Sequence, residues 1–312
     1  MYKDFIKGLV NLLDTVENKE NVIIDLCFNM SEQIENIDYD KISKKELIQK
    51  FNDGVDTIKE LGYEVNSNIV PSFEFYFHAD YRRDLNYNYC KKVDYIMHGE
   101  TDSFFPKEAF EVIESLAKYT DEQNIHRYML SFADRKMWDS SWDILVHPKY
   151  ENHVFIDEEH DNENQGKSQL SIEKMNEVNA ETEEFDFRYL NRPQLSGACL
   201  VISSDLIKFG VNIPPCMIYN DDHGISIMAE KLCGENFIQF ICKNIMHVHA
   251  RRHSQKRLYV LEEDNPNSFI NQKNDKFKQF LELSKLNINN LVKTPPDKFY
   301  EYEDFKKQLE KK

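Results

Sequence analysis

The chain has 312 residues, of which 41% are hydrophobic and 30% charged, so it has room for one large α/β domain or two small ones. Its formal net charge of −16, with a pI near 5.1, argues against a protein that binds nucleic acid by neutralising phosphates. Its six cysteines form no CxxC pair, which is typical of buried, reduced thiols.

The first fifteen residues carry Lys3, Asp4 and Lys7 among their apolar positions. They therefore lack the apolar core of a secretory signal. No stretch of the chain approaches the roughly 18 uninterrupted apolar residues that a membrane span requires. These features predict a cytoplasmic protein without a membrane span, whose oligomeric state the sequence leaves open.

Predicted strands alternate with predicted helices between residues 22 and 250, which favours a single α/β sheet. We expect an N-terminal helix in residues 1–20, the main domain in 21–255 and a helical extension in 256–312. Ten acidic residues and only two lysines between 157 and 184 predict a polar insertion or lid. The predicted elements, in chain order, are helix 2–17, strand 22–26, helix 43–61, strands 63–70 and 73–77, a helix from 106, strands 125–132 and 198–202, helix 222–232, and strands 237–242 and 245–249.

An acidic pair, Glu100 and Asp102, directly follows the apolar segment that ends at Met97. Buried carboxylates are costly unless they are paired or bind a metal. Ligands of open α/β sheets bind just beyond the carboxyl ends of the strands. The pair therefore predicts a site for a hard divalent cation shared with substrate phosphates, although an isolated acidic pair of this kind is more often a solvated turn.

Three further groups carry side chains suited to the same site. Arg82 and Arg83, with Asn86, precede the acidic segment and offer guanidinium groups for phosphate or base recognition. Gly197 allows the backbone to approach a ligand closely. Asp221 and Asp222 open a predicted helix, where one carboxylate is expected to cap the helix and the other to act as a general base.

The last group begins with His247 and His249, which alternate along a predicted strand and so share one face. Histidine is a common neutral metal ligand. Arg251 and Arg252 follow in a basic run that suits a diphosphate, although a solvated charged turn fits it nearly as well.

Taken in order, these groups resemble a glycosyltransferase of the GT-A fold, closest to the family 2 type, over roughly residues 20–255. Glu100-Thr101-Asp102 is similar to the DxD motif of that family. The segment from Ser196 to Leu200, followed by Asp221-Asp222, is similar to its acceptor segment and catalytic helix start. The resemblance implies a Rossmann-like, mixed but mostly parallel sheet flanked by helices, with a helical C-terminal tail.

The resemblance also implies roles for individual residues. Asp102 would bind Mn²⁺ or Mg²⁺ at the diphosphate of a nucleotide-sugar, and Glu100 would contact the ribose or the metal. His247 or His249 would complete the metal site. Asp222 or Asp221 would deprotonate a hydroxyl acceptor in an inverting transfer. The diphosphate and nucleotide contacts would come from Arg83, Asn86, Glu100, Gly197, Arg251 and Arg252.

Two other interpretations of the sequence stay open at this point. A nucleotidyltransferase could use a similar sheet, but the Gly-rich basic loop typical of such enzymes does not follow the first strand. A non-catalytic protein that binds nucleotide-sugars or carbohydrate would show binding without turnover. The sequence does not specify the sugar, the nucleotide or the acceptor; a UDP-sugar and a glycan or small-molecule acceptor are the expectation.

Overall fold

The computed structural model describes residues 2–29, 44–70, 76–101, 103–135, 140–151, 171–191, 195–218, 220–249 and 275–293, with 301, 303, 304 and 307. The helices in these residues are α1 (Tyr2–Leu13), α2 (Lys44–Glu60), α3 (His78–Tyr89), α4 (Ala109–Glu122), α5 (Ile172–Asn179), α6 (Ser204–Lys208), α7 (Asp221–Cys233) and α8 (Asp275–Lys293). The strands are β1 (Ile23–Asn29), β2 (Glu64–Val70), β3 (Tyr95–Gly99), β4 (Ser103–Phe104), β5 (Tyr128–Ala133), β6 (Phe187–Leu190), β7 (Cys199–Ser203), β8 (Ile238–Met246) and β9 (Val248–His249).

The main sheet has five strands in the order β3-β7-β5-β8-β6. Strand β7 is antiparallel to both of its neighbours, β3 and β5. Strand β8 is parallel to β5, and the edge strand β6 is antiparallel to β8. Strands β3, β5 and β8 consequently run in one direction, while β6 and β7 run in the other.

The predicted α/β class is confirmed, and the sheet is mixed as expected. The predicted predominance of parallel pairing is not confirmed, because only one of the four pairings in the five-stranded sheet is parallel. Strands β6 and β7 run opposite to β3, β5 and β8, which makes the other three pairings antiparallel. Strand β7 ends where β3 begins, with the Ser204 N–H donating to the Asp94 carbonyl at 2.8 Å, and this geometry requires antiparallel neighbours.

Strands β1 and β2 form a separate parallel pair in register from Ile23 opposite Glu64 to Asn29 opposite Val70. The helix between them, α2, ends before Gly62, whose φ of +92° lies in the region that favours glycine. This β–α–β order is the predicted one, but the single sheet expected over residues 22–250 is not found, because the described strands form a five-stranded sheet and two separate pairs, β1–β2 and β4–β9.

Alternating side chains of the five-stranded sheet enter two different cores. Leu130, Val201 and Phe240 pack with the helices α1, α2 and α4. Met129, Leu200 and Ile241 pack with α3, α6 and α7. The period of two along each strand thus produces a sheet between two helical layers.

The predicted polar insertion contains a packed helix in its second half. Residues 157–170 lie outside the described part of the chain, but Ile172, Met175 and Val178 of α5 are buried. They pack against the β4–β9 pair, where Phe104 and Val248 lie. The three apolar positions recur at helical spacing, and the surrounding acidic residues obscured this pattern.

The C-terminal helix α8 packs on α7 and reaches the segment before it. The Ile218 N–H donates to the Ser284 hydroxyl at 3.1 Å, and the Asn287 side chain donates to the Pro215 carbonyl at 2.8 Å. The ring of Phe280 lies 4.9 Å from that of Phe77, which directly precedes α3. The predicted helical extension therefore supports two elements that carry polar side chains of the candidate site.

Candidate functional site

Arg82 of α3 joins four segments that are far apart in the sequence. Its side chain is buried. Its Nη1 donates to Asp221 Oδ2 at 2.7 Å, and its Nη2 donates to the Gly197 carbonyl at 2.8 Å. The same Nη2 lies 3.2 Å from Glu100 Oε1 and 3.3 Å from the Gly99 carbonyl. The end of β3, the Gly197 loop and the start of α7 thus meet at one guanidinium.

The charge of Arg82 is compensated within the site. A buried ion is tolerated only when partners replace its hydration, and two carboxylates and two carbonyls do so here. Burial alone would lower the pKa of Arg82, but Asp221 and Glu100 outweigh that effect and raise it. The guanidinium therefore remains charged and fixes the position of both carboxylates.

Asp221 is the buried member of the acidic pair. Besides Arg82, it contacts His78, whose Nε2 lies 3.1 Å from Asp221 Oδ1. Burial would raise the pKa of Asp221, but the charges of Arg82 and His78 outweigh it and hold the pKa below its usual range. A carboxylate with such a low proton affinity is a poor proton acceptor.

Asp222 differs from its neighbour in exposure and in proton affinity. It is only partly buried, and its two oxygens accept the N–H groups of Gly197 at 3.0 Å and His223 at 2.7 Å. Burial, followed by the charge of Asp221, raises the pKa of Asp222 to about 6. A carboxyl group with this pKa suits a general base near neutral pH.

Close packing at Gly197 holds the two carboxylates in place. A Cβ at this position would lie 3.0 Å from Arg82 Nη1 and 3.1 Å from Asp222 Oδ2. Asn220, the residue directly before α7, has a left-handed φ of 59°, a conformation that asparagine tolerates better than most residues. The turn into α7 therefore places Asp221 and Asp222 against the loop.

Asn86, predicted to contact the nucleotide, lies in the protein interior. It is fully buried, its Oδ1 lies 2.8 Å from His98 Nε2, and its amide donates to Asn212 Oδ1 at 2.9 Å. Burial, followed by the charge of Arg82, lowers the pKa of His98 to about 3. Asn86 therefore links α3 to a neutral histidine on β3, and its amide group is hydrogen-bonded within the protein.

Arg83, also predicted to bind the nucleotide, points away from the Arg82 centre. Its Nη1 lies 3.4 Å from Glu301 Oε1, and 29% of its side chain is exposed. Of the two adjacent arginines, Arg82 is the one that enters the site. Arg251 and Arg252 lie outside the described residues, so their predicted diphosphate contacts stay predictions.

The late histidine segment lies beside the acidic segment. Strands β4 and β9 pair so that Ser103 is opposite His249; Asp102, which precedes Ser103, and the side chain of His249 lie outside the described part. His247 falls between β8 and β9, so the predicted strand alternation is interrupted there. It is fully buried, and its Nε2 lies 3.9 Å from Asp134 Oδ2.

Among the residues whose side chains are described, no group of three or more His, Cys, Asp or Glu is arranged to hold a metal ion. Two of the four predicted ligands, Asp102 and the His249 side chain, fall outside that search. The β4–β9 pairing sets Ser103 opposite His249, so the two segments that carry the predicted ligands lie side by side. Carboxylates are the oxygen ligands that Mg²⁺ and Mn²⁺ prefer.

His78 was not assigned to the site from the sequence, and Arg82 was predicted to recognise phosphate or a base and not to hold the carboxylates. The signal for Arg82 in the sequence is the helical spacing of Ala79, Arg82 and Asn86, which the structure shows to be the buried face of α3. Polar residues on a buried face indicate an internal network. The partners of that network are not readable from the sequence, since they come from other elements.

No protein-family model matches the chain, and comparison with curated proteins finds no match. In the described part of the chain, no helix has both the length and the apolar character needed to cross a bilayer. The case for a function therefore depends on the residues and their geometry.

Proposed function

We propose that this protein is a metal-dependent glycosyltransferase of the GT-A type. It would move a sugar from a nucleoside-diphosphate donor, for which a UDP-sugar is our first choice, to a hydroxyl acceptor. The observation that carries the proposal is the convergence of Glu100, Gly197 and Asp222 around the buried Arg82. The acidic segment follows the carboxyl end of β3, where ligands of α/β sheets bind.

Asp222 is the general base in this proposal. One of its oxygens would take the proton of the acceptor hydroxyl while the hydroxyl oxygen attacks the anomeric carbon. The bond between that carbon and the phosphate oxygen would break, and the diphosphate would leave with the bonding electrons. Attack from the opposite face inverts the configuration at the anomeric carbon. The raised pKa of Asp222, about 6, supports this assignment over Asp221.

Arg82 and Asp221 would position the base without touching the substrate. Arg82 binds the carbonyl of Gly197, and the N–H of the same residue donates to Asp222. Asp221 fixes the guanidinium. Positioning of this kind contributes to rate because a reacting group held in place avoids the entropic cost of finding its partner.

The implied Mn²⁺ or Mg²⁺ would be held by Asp102 with His249 or His247. The β4–β9 register, which sets His249 opposite Ser103, favours His249. Glu100, 28% exposed beside Arg82, would contact the ribose or the metal. When bound, such an ion stabilises negative charge that develops on a leaving diphosphate. Arg251 and Arg252 remain candidates for the same diphosphate.

A donor panel with a matched pair of variants tests the proposal. UDP-, GDP-, dTDP- and CMP-sugars are assayed with and without Mn²⁺ for thermal shift and for release of the nucleotide. A bound donor raises the apparent stability by mass action. We expect one donor class to be bound and turned over. Asp222→Asn should lower turnover on the order of 10²–10⁴-fold while donor binding is kept.

Asp205→Asn is the control, because Asp205 is exposed on α6, where its carboxylate pairs with Lys208 at 3.0 Å. It should turn over like the wild type. Donor binding without turnover would instead indicate a non-catalytic binding protein. Equal loss of activity in both variants would remove Asp222 from the role of base.

A further inference from the structure

A cleft lies at the β6 edge of the main sheet, opposite the edge formed by β3. We call it the α4–β6 cleft; it has a volume of about 750 Å³. Four strand spacings separate β3 from β6 in the sheet, which is about 19 Å at ~4.8 Å per strand. None of the residues at the Arg82 centre lines the cleft, so it is a separate feature of the molecule.

One end of the cleft is acidic. The carboxylates that line it are Glu108, Glu111, Glu183, Glu184 and Asp186, and none of the described lining residues is Lys, Arg or His. Asp186 is paired with Arg188 at 2.7 Å, and Glu108 accepts a hydrogen bond from Asn179 at 3.4 Å. In the described part of the chain, the exposed carboxylates of Glu111, Glu183 and Glu184 have no such partner.

The other end of the cleft is aromatic. The Tyr119 and Tyr189 hydroxyls are hydrogen-bonded across it. The Phe240 ring lies 5.1 Å from the Tyr189 ring and 6.3 Å from the Tyr119 ring. Tyr189 is 49% exposed and Tyr119 is 37% exposed, which is unusual for large rings clustered on one surface.

The helix α4 fixes the distance between the two ends. Glu111 lies in its first turn and Tyr119 in its last, eight residues later, which corresponds to about 12 Å at ~1.5 Å per residue. An extended peptide covers the same distance in about four residues. The cleft therefore presents negative charge and aromatic surface at a separation that a short peptide can bridge.

We propose that the α4–β6 cleft binds a basic peptide segment of a partner protein. Two Lys or Arg side chains would lie among Glu111, Glu183 and Glu184, and an apolar or aromatic residue three or four positions away would pack on the exposed rings of Tyr119 and Tyr189. The ammonium or guanidinium group of a basic side chain can also lie over a ring and bind it through cation–π contact. Charge complementarity selects the cations, and the ring end selects a peptide over a simple polyamine, which has no apolar group to place there.

Fluorescence anisotropy with dye-labelled peptides tests this site. The reference peptide carries two lysines, two alanines and then a phenylalanine. One comparison peptide replaces the lysines with glutamates, a second replaces the phenylalanine with alanine, and spermine serves as a competitor. We expect saturable binding of the reference peptide, no binding of the acidic peptide and at least threefold weaker binding of the peptide without phenylalanine.

Two triple variants separate the cleft from the net charge of the protein. Glu111→Gln, Glu183→Gln and Glu184→Gln together should weaken binding about tenfold or more. The control triple, Glu114→Gln, Glu122→Gln and Glu235→Gln, removes the same charge from exposed positions that do not line the cleft and should change binding less than twofold. Tyr189→Ala should weaken binding severalfold.

Three results would overturn the proposal. The reference peptide could fail to saturate at concentrations up to about 1 mM. Both triple variants could weaken binding equally, which would indicate attraction to net charge alone. Spermine, or the peptide without phenylalanine, could bind as well as the reference peptide, which would exclude a role for the ring end.

Discussion

The two edges of the five-stranded sheet carry negative charge in different ways. Next to β3, Asp221 and Glu100 are held by the buried guanidinium of Arg82. Next to β6, the carboxylates of Glu111, Glu183 and Glu184 are exposed at the rim of a cleft. The Arg82 centre fixes its carboxylates in one geometry. The carboxylates at the cleft are not fixed in this way and would attract a cationic ligand through their negative charge.

The two edges also differ in the free energy that is lost when a charged side chain is substituted. Exposed charges of one sign repel one another only weakly, because water and salt screen them. A buried charge without its partner keeps the whole desolvation cost. Substitutions at the β3 edge should therefore affect folding and chemistry, and substitutions at the β6 edge should affect binding alone.

The largest effect is expected from Arg82→Met. The variant keeps an unbranched aliphatic stem but leaves Asp221 buried without its main partner, which should cost about 3–5 kcal/mol of unfolding free energy. Urea denaturation followed by circular dichroism measures this loss.

Arg83→Met is the matched control for that measurement. Arg83 is the next residue of α3, and its pairing with Glu301 at 3.4 Å lies at the surface, where ion pairs contribute about 0–1 kcal/mol. A similar loss of stability in both variants would contradict the division between a buried centre and a solvated surface.

An effect of intermediate size is expected when the rate of sugar transfer is measured as a function of pH. Asp222 must be ionised to accept a proton, and its pKa is raised to about 6. The rate should therefore be constant above that pH and fall about tenfold per unit below it. The profile of kcat/KM between pH 5 and 8 checks this, and a rate without an inflection in that range would show that Asp222 is not the base.

The raised pKa of Asp222 also makes the free energy of unfolding depend on pH, in the direction opposite to that of most carboxylates. The folded-state pKa of Asp222 lies above the unfolded value of about 3.9, so the folded protein binds the proton more tightly. The contribution of Asp222 to stability is therefore highest below pH 4 and decreases as the pH rises through 6.

The smallest effect is expected from neutralising the α4–β6 cleft. The triple substitution of Glu111, Glu183 and Glu184 by glutamine should change the unfolding free energy by less than about 0.5 kcal/mol, since these side chains are exposed. Urea denaturation alongside Arg82→Met provides the comparison. A loss above about 2 kcal/mol would show that the cleft carboxylates support the fold.

Elements with a strong local pattern could be predicted from the sequence. The apolar run at β1 and the helix that ends before Gly62 are found close to their predicted bounds. Strand direction could not be predicted, because β7 has the same apolar pattern whether it runs parallel or antiparallel to β3. The direction is decided by which strand ends meet in space.

The candidate site shows the same limit at the level of single residues. Asp221-Asp222 was recognised as an acidic pair at a helix start, but the two could not be told apart. Their difference comes from Arg82, which lies 139 residues before Asp221. Arg82 and Arg83 were likewise indistinguishable, since only the orientation of α3 decides which of them is buried.

The contacts of α8 impose an order on the assembly of the protein during synthesis. The Pro215–Ile218 segment forms hydrogen bonds with Ser284 and Asn287, and Phe77 a ring contact with Phe280, once this late helix has been made. A nascent chain that has emerged only through α7 already contains the residues of the Arg82 centre but lacks this brace. The contacts of α8 with the segments before α3 and α7 can therefore form only after Asn287 has been synthesised.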